Sequence, residues 1–146
     1  MNKKFMELAL EWAKKAEKMG EVPIGAVIVK NGDIISLAHN LTESKNDPTA
    51  HAELLAIKTA AEKLGDFRLS GCELYVTLEP CPMCAGAALN ARLSEIIFGG
   101  YDPVKGALGS ALNLYSYKLP NKPDVYGGIM EMECTEILKS IFKKRR

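Results

Sequence analysis

The hydrophobic pattern of this chain predicts an α/β protein with three layers, α/β/α, around a central five-stranded mixed sheet. Three observations carry that expectation. Helix-period and strand-period stretches alternate in the order α-β-β-α-β-α-β, ending in either a helix alone or a short strand and a helix, which argues one sheet covered on both faces. Asn31-Gly32 stands between two β-rich runs and marks a hairpin, because a type I′ turn needs positive φ at both central residues. The length, 146 residues, suits one domain, 1–146, with a core of its own, and no linker, repeat or low-complexity segment divides it.

The elements follow in order. Phe5, Leu8, Ala9, Trp12, Ala13, Ala16 and Met19 recur at three- and four-residue steps with Lys and Glu between them, an amphipathic helix that Gly20 ends as a left-handed cap. Its Trp and Met read as core. Ile24 to Val29 and Ile34 to Leu37 form the hairpin strands, and a polar loop runs from about His39 to Thr49. The next helix spans about Ala50 to Leu64. Leu54 to Ile57 with Ala60-Ala61 make it apolar nearly all round, so burial on more than one side is expected. Glu73 to Leu78 is a strand that runs into a helix opened by Pro82. Glu95 to Phe98 is a strand closed by Gly99-Gly100. Tyr101 to Lys122 reads as loop with one short helix near Ala107 to Leu112. Val125 to Met130 forms the last strand. The final helix lines up Met130, Cys134, Ile137, Leu138, Ile141 and Phe142 before Lys143-Lys144-Arg145-Arg146.

Composition excludes several classes. The apolar fraction is 47% and the charged fraction 25%, as in ordinary globular proteins. No run of about 18 apolar residues predicts a membrane span, and the start lacks the uninterrupted apolar stretch of a secretory signal. Four cysteines are too few for a disulfide scaffold, so Cys81 and Cys84 read as ligands in a reducing compartment, with cytoplasm the expected location. A formal net charge of +1 gives no bulk argument for a nucleic-acid partner.

Chemistry concentrates in two stretches, Asp47-Pro48-Thr49-Ala50-His51-Ala52-Glu53 and Glu79-Pro80-Cys81-Pro82-Met83-Cys84. Residues two apart on a helix point roughly 200° away from each other. His51 and Glu53 can therefore converge only at the first turn, which is where the sequence puts them. Cys81 and Cys84 open the helix after Pro80, where unpaired N–H groups favour thiolate over thiol. Ala85, Gly86, Ala87 and Ala88 keep the surroundings small. One imidazole and two thiolates at this spacing make a three-ligand zinc site with an open position, and Glu53, not needed as a ligand, is free to move protons.

Rival readings exist for each part. A closed structural site needs a fourth donor. Cys72 lies a strand away from Cys81, roughly 20 Å, and Cys134 reads as a small buried hydrophobe. His39, at a strand end, stays open as a donor. A redox Cys-x-x-Cys would leave His51 and Glu53 without a role, and a lone His-x-Glu carries little information. The combination is what is specific.

In these motifs the chain resembles the cytidine deaminase-like superfamily and, within it, the bacterial tRNA-specific adenosine deaminases. The resemblance covers nearly the whole chain: Glu21 to Val27, Asn40, Asp47 to Glu53, Tyr75 to Ala87, Phe98-Gly99, Asp102 to Gly106, Gly109-Ser110 and the last helix. It implies the cytidine deaminase-like fold and a homodimeric enzyme that converts adenosine to inosine at the wobble position, 34, of tRNA anticodon loops. By position, His51, Cys81 and Cys84 would hold one Zn2+ per subunit and Glu53 would shuttle protons. Asn40 would hydrogen-bond the extruded base, and Asp102 would lie on a substrate-facing loop. An anticodon stem-loop suits such chemistry, because its bases are splayed out at low unstacking cost. Family members often carry Asp-x-Lys-x-Gly after the fourth strand. Here it is Asp102-Pro103-Val104-Lys105-Gly106, so Lys105 is not assigned. The basic tail suits either phosphate contacts or complementation of a helix C-terminus. Two alternatives remain at this point: a deaminase of a free base or nucleotide (guanine, cytosine or deoxycytidylate), and a non-catalytic zinc or RNA-binding module, against which the intact Glu53 argues.

Overall fold

The strand residues sort by alternation onto two faces, and that sorting builds the layers. The computed structural model describes the backbone of residues 2–144 and the side chains of 2–139. Strands β1 (Gly25–Lys30), β2 (Asp33–His39), β3 (Cys72–Leu78), β4 (Glu95–Gly100) and β5 (Asp124–Tyr126) form one sheet in the order β2-β1-β3-β4-β5. β1 is antiparallel to β2 and β3, whereas β3, β4 and β5 run parallel. The expected five-stranded mixed sheet is what forms.

Paired residues share a face. Ala26 sits opposite Val76 and Val76 opposite Phe98, as Ile28 does Leu74 and Leu74 does Ile96. This face packs on Ala52, Ala56 and Ala60 of α3 (Ala52–Leu64) and Ala88 of α4 (Pro82–Asn90). On the other face Val27, Val29, Tyr75 and Ile97 meet Met6, Ala9 and Leu10 of α1 (Lys3–Lys18) and Cys134 of α5 (Glu131–Lys144). Two helices on each side of the sheet give the α/β/α sandwich. Asn31 and Gly32 both have positive φ, 51° and 80°, as the hairpin turn requires.

Several details differ from expectation. The polar stretch after β2 contains a one-turn helix, α2 (Thr42–Lys45). Helix α3 begins at Ala52 and is fully buried along one stripe only. Its alanines approach the sheet, while Leu54, Leu55 and Ile57 stay half-buried on the flanks. No helix forms over 107–112. The Leu108 and Ser110 amides turn inward to the Glu79 carboxylate, and Gly109 takes φ +133°, so these donors are withdrawn from a helical ladder. A 3-10 turn at Leu114–Ser116 follows instead. The last strand stops at Tyr126, because Gly128 and Met130, with φ of 82° and 56°, turn the chain out of the ladder. Met130 thus precedes the last helix. Ile141, Phe142 and the basic run from Lys143 lie outside the described side chains.

Candidate active site

Strand directions bring four chain ends to one edge of the sheet: the start of β1 and the ends of β2, β3 and β4. In sheets of this kind, sites form beyond the carboxyl ends of the parallel strands. Ile24, Asn40, Leu78 and Gly100 line a cavity of about 730 Å³ there. The segments leaving those strand ends bring His51, Glu53, Cys81 and Asp102 to the same cavity, and α5 closes one side with Thr135, Leu138 and Lys139.

His51 and Cys81 are the N-cap residues of α3 and α4, each with extended backbone. Both helices therefore point their free N–H groups toward one spot. His51 Nδ1 lies 3.6 Å from Cys81 Sγ and 3.5 Å from Cys84 Sγ, and the three donor atoms all fall within 4.8 Å of one another. These three can hold a metal ion. Close packing of α4 comes from buried Ala85 and Ala88, whereas Gly86 faces open space and its small size is not what permits the approach.

The other candidate donors are elsewhere. Cys72 is buried in the α3–α4 side of the core, and Cys134 is on the opposite face. His39 Nδ1 donates to the Asn40 carbonyl at 3.0 Å, and its ring packs on Trp12 with centroids 5.7 Å apart. Among the described residues the cluster has three donors, His51, Cys81 and Cys84.

Glu53 sits in the first turn of α3 and is 4% exposed. Burial pushes its carboxyl up to about 6, against the opposing pull of its own backbone amide and the His51 imidazole. A carboxyl poised near neutrality is suited to give and take protons. The Cys84 thiol, donating to Cys81, and the His51 ring hold Cys81 down to about 4 despite burial. The same contact with Cys81, together with burial and the Glu53 charge, drives Cys84 upward. His51 is raised chiefly by its hydrogen bond with Cys81.

Asn40 and Asp102 both line the cavity. Asn40 is buried; its amide Nδ2 donates to Thr42 Oγ1 at 3.2 Å. Asp102 caps its own turn: its Oδ1 accepts from the Val104 and Lys105 amides at 3.0 and 3.1 Å.

Two acidic residues without an assigned role in the sequence prove central to the walls of the site. Glu21 is buried and accepts from the Glu43 amide at 3.0 Å and from Ser44 N and Oγ at 2.6 and 2.5 Å, which holds α2 beside Asn40. Glu79 does the same for the 102–110 loop. The available signal was compositional: each is a lone acid beside a proline and an apolar strand, Glu21-Val22-Pro23 and Leu78-Glu79-Pro80.

Comparison with known proteins follows this geometry closely. A family model described as MafB19-like deaminase matches residues 1–146. The tRNA-specific adenosine deaminase of Bacillus subtilis is 48% identical over 143 residues, 97% of this chain and 89% of that protein. The chain belongs to the tRNA-specific adenosine deaminase family. A second relative of the same name, from Aquifex aeolicus, is 46% identical over 142 residues, covering 97% of this chain and 94% of the relative. A solved structure from work on A-to-I editing by tRNA:A34 deaminases superposes with a TM-score of 0.91 at 48% identity, over 94% of this chain and 100% of that one. A guanine deaminase of Bacillus subtilis shares the fold less closely, with a TM-score of 0.66 at 34% identity over 82% and 88% of the two chains.

Proposed function

We propose that this chain deaminates adenosine to inosine at position 34, the wobble position, of tRNA anticodon loops, consuming water and releasing ammonia. The observation that carries the reading is a three-donor cluster, His51, Cys81 and Cys84, beside a buried carboxylate, Glu53, that the cluster does not need. Likeness to named tRNA-specific adenosine deaminases over 97% of the chain supports the substrate.

The donors suit zinc. Tetrahedral Zn2+ with bonds of about 2.0–2.1 Å to nitrogen and 2.3 Å to sulfur spaces an N and an S donor about 3.6 Å apart, and the distances here are 3.5 and 3.6 Å. His51, Cys81 and Cys84 would hold one such ion per subunit. When bound, it supplies the Lewis acidity that makes hydroxide available near neutral pH. Glu53 Oε takes the proton of the attacking water, passes it to the purine ring nitrogen next to the reacting carbon, and then serves the departing amine. Asn40 hydrogen-bonds the extruded base, and Asp102 belongs to the loop that faces the RNA beside it. The cavity volume is in the range of small-molecule sites, suited to one flipped nucleoside.

The same reading takes residues 1–146 as one deaminase domain acting in the cytoplasm as a homodimer. Half-buried Leu54, Leu55 and Ile57 on α3, and exposed Met83 on α4, leave apolar surface for a second copy. Among the described residues, no helix is long and apolar enough to cross a membrane.

The test offers zinc-loaded protein an anticodon stem-loop with a wobble adenosine, beside guanine, cytidine and deoxycytidylate. Inosine formed only in the RNA is expected. Turnover of a free base but not of the RNA would sink the reading. Glu53→Ala should abolish deamination while zinc content stays at the wild-type level.

A further inference from the structure

Glu79 is 2% exposed and is followed directly by Pro80 and Cys81. Burying a carboxylate is costly unless its oxygens are fully hydrogen-bonded, and no Lys, Arg or His among the described residues is ion-paired with it. All of its donors come from one distant loop. Oε1 accepts from the Asp102 amide at 3.1 Å and from the Ser110 hydroxyl; Oε2 accepts from the Leu108 and Ser110 amides at 3.0 and 3.1 Å.

The loop is built to reach that carboxylate. Gly106 is buried, and a Cβ there would overlap the Glu79 carboxyl carbon and lie 2.5 Å from the Asp102 carbonyl oxygen, so only glycine lets the loop close down. Ala107 N donates to the Pro80 carbonyl at 2.9 Å, and Glu79 N to Gly100 O at 2.8 Å. Between the anchored Asp102 and Gly106, the Asp102 side chain caps a turn that presents Pro103, Val104 and Lys105 at the mouth of the cavity. Val104 is 78% exposed there, an apolar side chain held in water at the entrance of a site.

From this arrangement we infer that Glu79 is a positioning residue for the substrate. Its buried charge fixes the 102–110 loop, and through it the rim that receives the nucleotides flanking the target base. This deepens the proposed RNA deamination and rests on it. The role differs from that of Glu53: although Glu79 also borders the cavity, its carboxylate spends its hydrogen bonds on Asp102, Leu108 and Ser110 of the loop and acts through them.

Glu79→Gln tests it. An amide replaces one acceptor oxygen by a donor, so at least one of the amides of Asp102, Leu108 and Ser110 loses its partner whichever way the side chain lies. With the anticodon stem-loop as substrate, KM should rise about tenfold or more while kcat stays within about threefold of wild type and zinc content is unchanged. Ser110→Ala should raise KM less, and the double variant should be no worse than Glu79→Gln alone, because both act through one carboxylate. Hydrogen exchange at Asp102, Leu108 and Ser110 should speed up in Glu79→Gln with no RNA present. An unchanged KM with slow exchange, or loss of zinc with KM unchanged, would overturn the inference. If the wild-type protein edits no RNA, the proposed function fails, and the exchange rates still decide whether Glu79 holds the loop.

Discussion

Replacing Gly99 with alanine should loosen the last helix from the sheet and open the site. A Cβ at Gly99 would overlap the Cys134 sulfur and lie 2.8 Å from the Cys134 Cβ and 3.0 Å from the Thr77 carbonyl oxygen. Ordinary carbon–carbon contact starts near 3.4–4 Å, so α5 must recede by roughly 1 Å, more if the sulfur keeps its rotamer. Overpacking of this kind costs about 1–3 kcal/mol, which for a chain of this size lowers Tm by about 3–10 °C. The same helix carries Thr135, Leu138 and Lys139 in the cavity wall, so KM for the stem-loop should rise with it. The assay is urea and thermal unfolding of zinc-saturated protein for Gly99→Ala, Cys134→Ala and the double variant. Removing the sulfur relieves the worst overlap but leaves the Cβ contact. The double variant should therefore be less destabilised than the sum of the singles by about 1 kcal/mol. Additivity within about 0.5 kcal/mol, or a wild-type Tm for Gly99→Ala, would refute the packing argument.

Acid should release α2 before it unfolds the protein. Burial raises the Glu21 carboxyl, but the Ser44 hydroxyl and the Ser44 and Glu43 amides outweigh it and leave it below the ordinary 4.5. A depressed folded-state value contributes stability above about pH 4.5 that is lost as pH falls through the lower value. Glu21→Gln should cost about 2 kcal/mol at pH 7, with the gap to wild type closing below pH 4.5 in urea titrations. A gap independent of pH would contradict it. Stripping the metal with a chelator should abolish deamination, and zinc should restore it. Cys84 and His51 are both raised by their contacts with Cys81, so metal must displace a proton from Cys84 throughout and from His51 at the acid end, and affinity should rise by at least about tenfold per pH unit between pH 6 and 8. A flat profile in competition with a chelator would contradict that proton count.

Much of this protein was legible because its chemistry is local. The donor spacing within Cys81-Pro82-Met83-Cys84, the first-turn placement of His51 and Glu53, and the Asn31-Gly32 turn each depend on residues within a few positions of one another. Backbone geometry alone dictates how such neighbours point. Strand alternation likewise encoded both faces of the sheet, since Ala26, Ile28, Leu74 and Val76 face one way and Val27, Val29 and Tyr75 the other.

What the tertiary structure alone decided were contacts between segments far apart in sequence. Propensity near Ala107 to Leu112 suggests helix, yet the Glu79 carboxylate, about thirty residues away, takes the amides a helix would need. An uncompensated buried charge costs more than a short helix gains. The apolar girth of α3 suggested burial on more than one side; within the chain the sheet covers one stripe, where the alanines sit, and Leu54, Leu55 and Ile57 stay half-buried beside it. Cys134 read correctly as a small buried side chain; that Gly99 is the residue it needs follows only from the α5–β4 contact. Sequence by itself singled out His51, Glu53, Cys81 and Cys84 as candidates, because residue identity and first-turn placement are local; folding brought His51 to the two cysteines about thirty residues away. Folding decided which loops stand over them, because two buried carboxylates, Glu21 and Glu79, had to find their hydrogen bonds somewhere, and found them in the walls of the site.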